Sequence, residues 1–177
     1  MDKNQAAAPG QSGQHEDNAL KTLRQLHLDA NRIKYPSLPE HARTAPKYSD
    51  KTANQLTKCI IAFIGFTGGQ AERISNTGRH VDNRTQYTDV VGIKRTIGSV
   101  EWIKGTGDNG TADISATIKG RSVKIEVKIG RDRQSEAQKQ YQERIEQAGG
   151  IYLIAKTFQS FYDWYNLNFQ SDEQEQQ

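Results

Sequence analysis

The chain has 177 residues, 34% of them hydrophobic and 25% charged, with a formal net charge of +3; that length suits one domain of ordinary size with extensions. A single cysteine excludes an intramolecular disulfide framework, and no apolar run approaches membrane-spanning length. Residues 51–170 hold 17 Lys/Arg against 12 Asp/Glu, a modestly basic balance that permits a polyanionic partner without demanding one.

In chain order, residues 1–14 are rich in Gln, Ala, Gly and Ser and are expected to be disordered. They show no signal-peptide apolar segment, so a soluble, intracellular (cytoplasmic) protein with no membrane partner is expected. Asp17 or Asn18 can cap a helix from about 18 to 33, with Leu20, Leu23, His27, Ala30 and Ile33 along one stripe. That helix either packs on its own domain or serves docking or dimerisation. Residues 35–48 carry three prolines and read as a linker, so residues 15–48 form a helix plus Pro-rich linker.

The main domain is expected over 49–169. Ser49 or Asp50 opens a helix to about Phe63, with Ala53, Leu56, Ile60, Ile61 and Ile64 facing inward and the only cysteine, Cys59, in its apolar run. Thr67-Gly68-Gly69 ends it, and residues 70–76 follow as a first strand. The segment 79–98 is polar and weakly patterned; it predicts a long loop or small insertion with short strands around Val90–Ile93. Arg79, Arg84, Lys94 and Arg95 there either meet phosphate or are solvated loop charge.

The strongest pattern lies between Gly105 and Gln138. Ala112, Ile114, Ala116 and Ile118 alternate on one side of Lys119-Gly120, and Val123, Ile125, Val127 and Ile129 on the other. This predicts two half-buried strands joined by a tight two-residue turn. In that register Ile114 faces Ile125, Ala112 faces Val127, and Asp113 lands opposite Glu126 on the other face, with Lys128 one pleat along. Like charges directly across a ladder repel, so the pair needs a partner. Either it is a solvated face that pairs with Lys124 and Lys128, or it holds a divalent cation such as Mg²⁺, which accepts carboxylate oxygens and keeps waters and phosphate oxygens besides.

Ser135 then begins a helix bearing Gln138, Tyr141, Ile145 and Ala148, stopped by Gly149-Gly150. Ser135-Glu136-Ala137-Gln138 is also a capping box, which by itself accounts for this glutamine. IYLIA (151–155) reads as a strand buried on both faces. A last helix from about 158 carries Phe161, Trp164, Tyr165 and Phe169, more in keeping with core than with a base-stacking platform. Residues 170–177 form an acidic, solvated tail. The predicted class is α/β, in the order α-β-β-β-α-β-α around a small mixed sheet flanked by helices.

Asp113, then Glu126-Val127-Lys128, then a helix with Gln138, then AGG-IYLIA, resembles the PD-(D/E)xK nuclease superfamily, and within it the VRR-NUC group, whose members include phage nucleases. The likeness covers roughly residues 50–160 and is strongest at GTADI (110–114), IEVK (125–128) and SEAQ (135–138). It implies a PD-(D/E)xK core and a Mg²⁺- or Mn²⁺-dependent DNA nuclease of phage or bacterial type, either endo- or exonuclease, acting in replication, repair or recombination; duplex, single-stranded, flapped and branched DNA, the last two calling for structure selectivity, all stay open as substrates. By the same likeness Asp113, Glu126 and the Val127 carbonyl hold metal, and Lys128 and Gln138 complete the catalytic set. DNA is the implied partner, and a homodimer is left open. The proline of the family name is Ala112 here. Where family members often carry an acid on the first helix, this chain has Asn54 and Gln55, with Glu72 on the first strand as a substitute.

No Ser/His/Asp arrangement competes, no phosphate-cradling glycine motif precedes a helix, and the lone cysteine excludes a cysteine-based zinc site. Two other classes stay open: a catalytically silent nucleic-acid-binding protein with a nuclease-like fold, and a metal-dependent hydrolase of smaller phosphate esters.

Overall fold

The computed structural model describes residues 12–75, 78–103, 105 and 108–170. Residues 1–11 and 171–177, most of the expected disordered N-terminus and acidic tail, lie outside the described residues. In order come α1 (Ser12–Lys34), a 3-10 turn (Glu40–Ala42), α2 (Ala53–Phe66), β1 (Gln70–Arg73), β2 (Arg79–Asp82), β3 (Thr85–Thr88), β4 (Lys94–Ile97) and β5 (Val100–Ile103). Then follow β6 (Ile114–Ile118), β7 (Arg121–Val127), α3 (Glu136–Gln147), β8 (Ile151–Ala155), α4 (Phe158–Tyr165) and a π-helical turn (Asn166–Gln170).

The alternating stretch forms the expected hairpin. Ile114 faces Ile125, Ser115 faces Lys124, and Ile118 faces Arg121. Lys119 and Gly120 both take positive φ, 46° and 78°, as a two-residue turn matched to the strand twist requires. β1 adds antiparallel to β6 and β8 adds parallel to β7, giving a four-stranded mixed sheet ordered β1-β6-β7-β8. The fold is mixed α/β, with this small sheet flanked by helices. No helix among the described residues is long and apolar enough to cross a membrane.

One sheet face carries the core. Ile114, Ala116, Ile118, Val123, Ile125 and Val127 bury against Leu56, Ile60, Phe63 and Ile64 of α2 and the aromatic face of α4. Phe63 meets the rings of Phe158, Phe161, Tyr162 and Tyr165 edge-on, the last at 4.9 Å between centroids, an arrangement that adds to the area each ring buries. The α4 aromatics are therefore core. α1 lies across α2 and α4, so Ala19 and Leu23 join the same core. His27 donates to or accepts from Tyr48 Oη at 2.8 Å and packs on Phe66.

Several expectations are corrected. α1 starts before residue 18, because Ser12–Asp17 hold no apolar residue for periodicity to register. Ile33 is exposed rather than inward, because the helix has by then run past the core. α2 is capped by Thr52, whose hydroxyl accepts from the Gln55 N–H at 3.3 Å. Asp50 instead accepts from the Phe158 N–H at 2.8 Å, at the start of α4, whose N-cap is Thr157, and Ala53 is exposed. The first strand stops at Arg73. Among the described residues IYLIA is an edge strand, half-buried over most of its length rather than covered on both faces. Ala148 is the exposed C-cap of α3.

The segment 79–103 is an antiparallel ribbon, β2 with β5 and β3 with β4. Val90–Ile93, expected to hold short strands, form its turn. Asp89 accepts there from the Val91 and Ile93 N–H groups at 3.0 and 2.9 Å, which uses the donors a strand would need.

Candidate active site

Three local features bring the candidate residues together. The β6–β7 hairpin sets Asp113 and Glu126 side by side. The ladder stops at Ile114–Ile125, and beyond it the Asp113 side chain, through Oδ2, accepts from the Val127 N–H at 2.9 Å. The Asp113 carbonyl accepts from the Ile74 N–H at 2.8 Å, tying the site to the end of β1.

The second feature is the start of α3. Ser135 and Gln138 form a capping box, Ser135 Oγ accepting from the Gln138 N–H at 3.3 Å and Gln138 Oε1 from the Ser135 N–H at 2.9 Å. That leaves the amide Nε2 of Gln138 free to donate to Glu126 Oε1. The third is Gly110, at φ +80°. A Cβ there would lie 2.3 Å from the Ala137 carbonyl carbon and oxygen, so only glycine lets the loop before Asp113 lie against the α3 backbone.

Glu126 is buried, with 2% exposure. Oε1 pairs with the Lys128 Nζ at 3.0 Å, and the Tyr152 hydroxyl donates to Oε2 at 3.5 Å. Burial pushes the Glu126 carboxyl above its ordinary value and Asp113's charge adds to this, against the pull of Lys128 and Tyr152. Burial opposes the charge of Lys128, but Glu126 and Asp132 (Oδ2 at 3.4 Å) outweigh it and hold the ammonium above its usual range. Burial, and then Glu126, push the Tyr152 phenol up to about 12. Lys124 is set apart, donating to Ser115 Oγ.

Lys128 and Gln138 thus both meet Glu126, and Asp113 is held to the backbone of the adjoining Val127, close enough for its charge to act on Glu126. Glu72 sits on exposed β1 opposite Ser115, and Asn54 accepts from Arg73 at 2.8 Å. Tyr152, Asp132 and Gly110 were missed by sequence reasoning. A lone phenol in an aliphatic run was the available signal for Tyr152, but the parallel register that sets it opposite Lys124 is a long-range pairing. Among the described residues no group of three or more His, Cys, Asp or Glu side chains converges on one point. The donor set is two carboxylates and a carbonyl, hard oxygens in the number a hydrated Mg²⁺ takes from protein when substrate phosphate supplies the rest. Asp113 Oδ1 receives no hydrogen bond among the described residues. In kind the residues fit such an ion.

Fold and site define an α/β protein with a half-sequestered cluster of two carboxylates, a lysine and a glutamine at one end of a small sheet. Comparison with protein-family models, with curated proteins and with solved structures gives no match for this chain.

Proposed function

We propose that this chain is a Mg²⁺- or Mn²⁺-dependent DNA nuclease of the PD-(D/E)xK type, close to the VRR-NUC group. The observation that carries the reading is Glu126: a carboxylate buried beside Asp113, in contact with a buried lysine. Burying a second negative charge next to a first is costly, and the arrangement is understandable where it serves a cation. Asp113, Glu126 and the Val127 carbonyl would hold the ion, which when bound supplies Lewis acidity at the scissile phosphate.

The chain's own groups do the rest. Lys128 presents a fixed positive charge where negative charge develops on the phosphate, in a site shielded from water. Gln138 fixes the orientation of the Glu126 carboxylate from the rigid first turn of α3. The order α-β-β-β-α-β-α, read through α2, β1, β6, β7, α3, β8 and α4 with the ribbon as an insertion, is compatible with this reading.

The test is a panel of labelled linear, nicked, flapped and branched DNAs incubated with Mg²⁺, Mn²⁺ or chelator. Cleavage that requires metal and disappears in Asp113→Asn supports the reading. DNA binding without cleavage under every metal condition would favour the silent binding protein. Hydrolysis of small phosphate esters alone would favour the third class.

A further inference from the structure

The end of the sheet that carries Asp113 and Glu126 also gathers five exposed cations. Lys51 precedes α2, Arg73 closes β1, Arg131 and Arg133 lie in the loop after β7, and Lys156 follows β8. Short-range contacts fix the end to which each belongs. Arg73 adjoins Ile74, whose N–H holds the Asp113 carbonyl at 2.8 Å. The Lys128 N–H donates to the Ala155 carbonyl at 3.0 Å, so β7 and β8 leave the sheet side by side, with Lys156 next in the chain. The bond from the Phe158 N–H to Asp50 brings the segment of Lys51 to the segment of Lys156. The loop bearing Arg131 and Arg133 is pinned by Asp132 on Lys128 at 3.4 Å and by the Ser135 cap of α3.

The fold makes little use of these charges. Among the described residues none of the five belongs to an ion pair, and only Arg73 gives a side-chain hydrogen bond, from Nη1 to Asn54 at 2.8 Å. The acids beside them are already engaged: Asp132 with Lys128, Glu136 with Lys139 at 3.4 Å, Asp50 with the Phe158 N–H. Cations at the other end of the β6–β7 hairpin are used differently. Lys119 donates to the Phe169 carbonyl, and Arg121 lies over the Phe169 ring at 5.8 Å. One exposed lysine is ordinary solvated charge. Five unpaired cations that four separate segments bring to one end of a sheet are the footprint of a polyanion.

Their placement on both sides of the carboxylates carries the inference further. α2 and α4 pack on the sheet face of Ile125, whereas α3 covers the other face, where Gln138 reaches Glu126 and Tyr141 meets Tyr152. Lys51 and Lys156 therefore lie on the α2 and α4 side, as does Arg73 through Asn54, while Arg131 and Arg133 lie on the α3 side. A small phosphate ester, or a strand held only by its end, needs cations on one side alone. We propose that this end of the sheet is a two-sided phosphate track, along which a DNA backbone continues past the acid pair in both directions. On the nuclease reading, upon which this rests, the bond hydrolysed is then an internal one. Water adds across one internal P–O bond, leaving one strand that ends in phosphate and one that ends in hydroxyl.

The test is the salt dependence of binding to a labelled duplex, measured by anisotropy with the full chain and chelator present. Five phosphate contacts give a slope of log K against log salt of about −4.5. Lys51→Ala with Lys156→Ala, and separately Arg131→Ala with Arg133→Ala, should each make the slope shallower by about 2. Arg121→Ala, at the far end of the hairpin, should leave it unchanged, and equal melting temperatures show that the paired variants fold. With Mg²⁺ or Mn²⁺, a covalently closed DNA circle should be cut. A wild type that does not bind the duplex would overturn the track, as would slopes indifferent to either pair or equally sensitive to Arg121. A circle that resists while linear DNA is degraded from its ends would overturn internal cleavage. The two readings fail separately: metal-dependent cleavage with indifferent slopes removes the track alone, and the expected slopes without cleavage under any metal remove the nuclease and leave the track.

Discussion

Gln138 uses the two ends of its amide on two different partners: Oε1 accepts from the Ser135 N–H at the start of α3, and Nε2 donates to the buried carboxylate of Glu126. The capping box and the site are therefore not rival explanations of this residue. With Oε1 held by the cap, Nε2 is left to donate to Glu126.

Gln138→Glu keeps the capping acceptor but replaces the donor with a second carboxylate against Glu126. The variant is expected to lose on the order of 1–3 kcal/mol of stability at neutral pH, the usual cost of leaving a buried polar group unsatisfied. The new carboxylate drives Glu126 further above its ordinary value, so the deficit shrinks as pH falls and both groups take protons. Urea unfolding of both proteins from about pH 4 to about pH 8 measures it. An equal deficit at all pH values would mean the cap alone is affected. Cleavage, on the nuclease reading, should fall in either case.

The Glu126–Lys128 pair makes single substitutions costly and the double one tolerable. Lys128→Met leaves Glu126 buried without its cation, and Glu126→Gln leaves Lys128 with Asp132 as the one carboxylate paired with it. Removing one partner of such a pair typically costs about 3–5 kcal/mol, whereas replacing both is often close to neutral. A double-mutant cycle by denaturant unfolding should therefore show strong coupling. Lys124→Ala, whose ammonium contacts only Ser115 Oγ in the described structure, should be mild by comparison. If Lys128 also stabilises charge in a transition state, Lys128→Met lowers turnover by roughly a hundredfold or more and Lys124→Ala does not.

Asp113→Asn preserves an oxygen to accept from the Val127 N–H, so the fold should persist with a melting temperature near wild type. Cleavage should be abolished while DNA binding persists or strengthens, a negative charge near phosphate having gone. Filter or anisotropy binding beside a cleavage assay separates the two. Near wild-type cleavage would remove Asp113 from the proposed metal set.

The pH dependence follows from Glu126. Its carboxyl ionises above the ordinary 4.5, so between that value and the raised one the folded state holds the extra proton. Stability contributed by the neutral form is present at lower pH and is lost as pH rises through the folded value. Glu126→Gln should flatten that slope in a plot of urea midpoint against pH. A protonated Glu126 is a poor metal ligand, so the acid limb of any metal-dependent activity should have its midpoint above 4.5.

Gly110→Ala tests the approach of the loop to α3. The Cβ would collide with the Ala137 backbone, and the φ of +80° is strained for any other residue. A loss of about 1–3 kcal/mol is expected from the backbone conformation, with the greater effect on the site. Since the loop must retreat from Gln138, Asp113 and Glu126 should separate and activity should fall by more than stability. Substitution of Gly120, where a Cβ meets nothing, gives the strain without the collision.

What the amino-acid sequence determined by itself was the hairpin and everything that follows from its parity. The alternation on either side of Lys119-Gly120 admits one register, and that register alone puts Asp113, Glu126 and Lys128 together, while Ser135 and Gln138 announce the cap of α3 three residues apart. These are local rules, decided by the pleat and by the first turn of a helix, so they survive without any knowledge of the remainder. The partners that come from elsewhere in the chain were decided only by tertiary structure. Asp50 came to accept from the first N–H of α4 rather than cap α2, Tyr152 reached Glu126 through a parallel pairing 26 residues away in the chain, and Lys128 came to be buried between Glu126 and Asp132. The ribbon of 79–103 hid from periodicity for a related reason. With neither face packed on the core, its apolar residues are spread over both faces and the turn, and only backbone pairing reveals it as a single hairpin. Alternation in a sequence records burial, and a strand that its own domain leaves uncovered writes no such record.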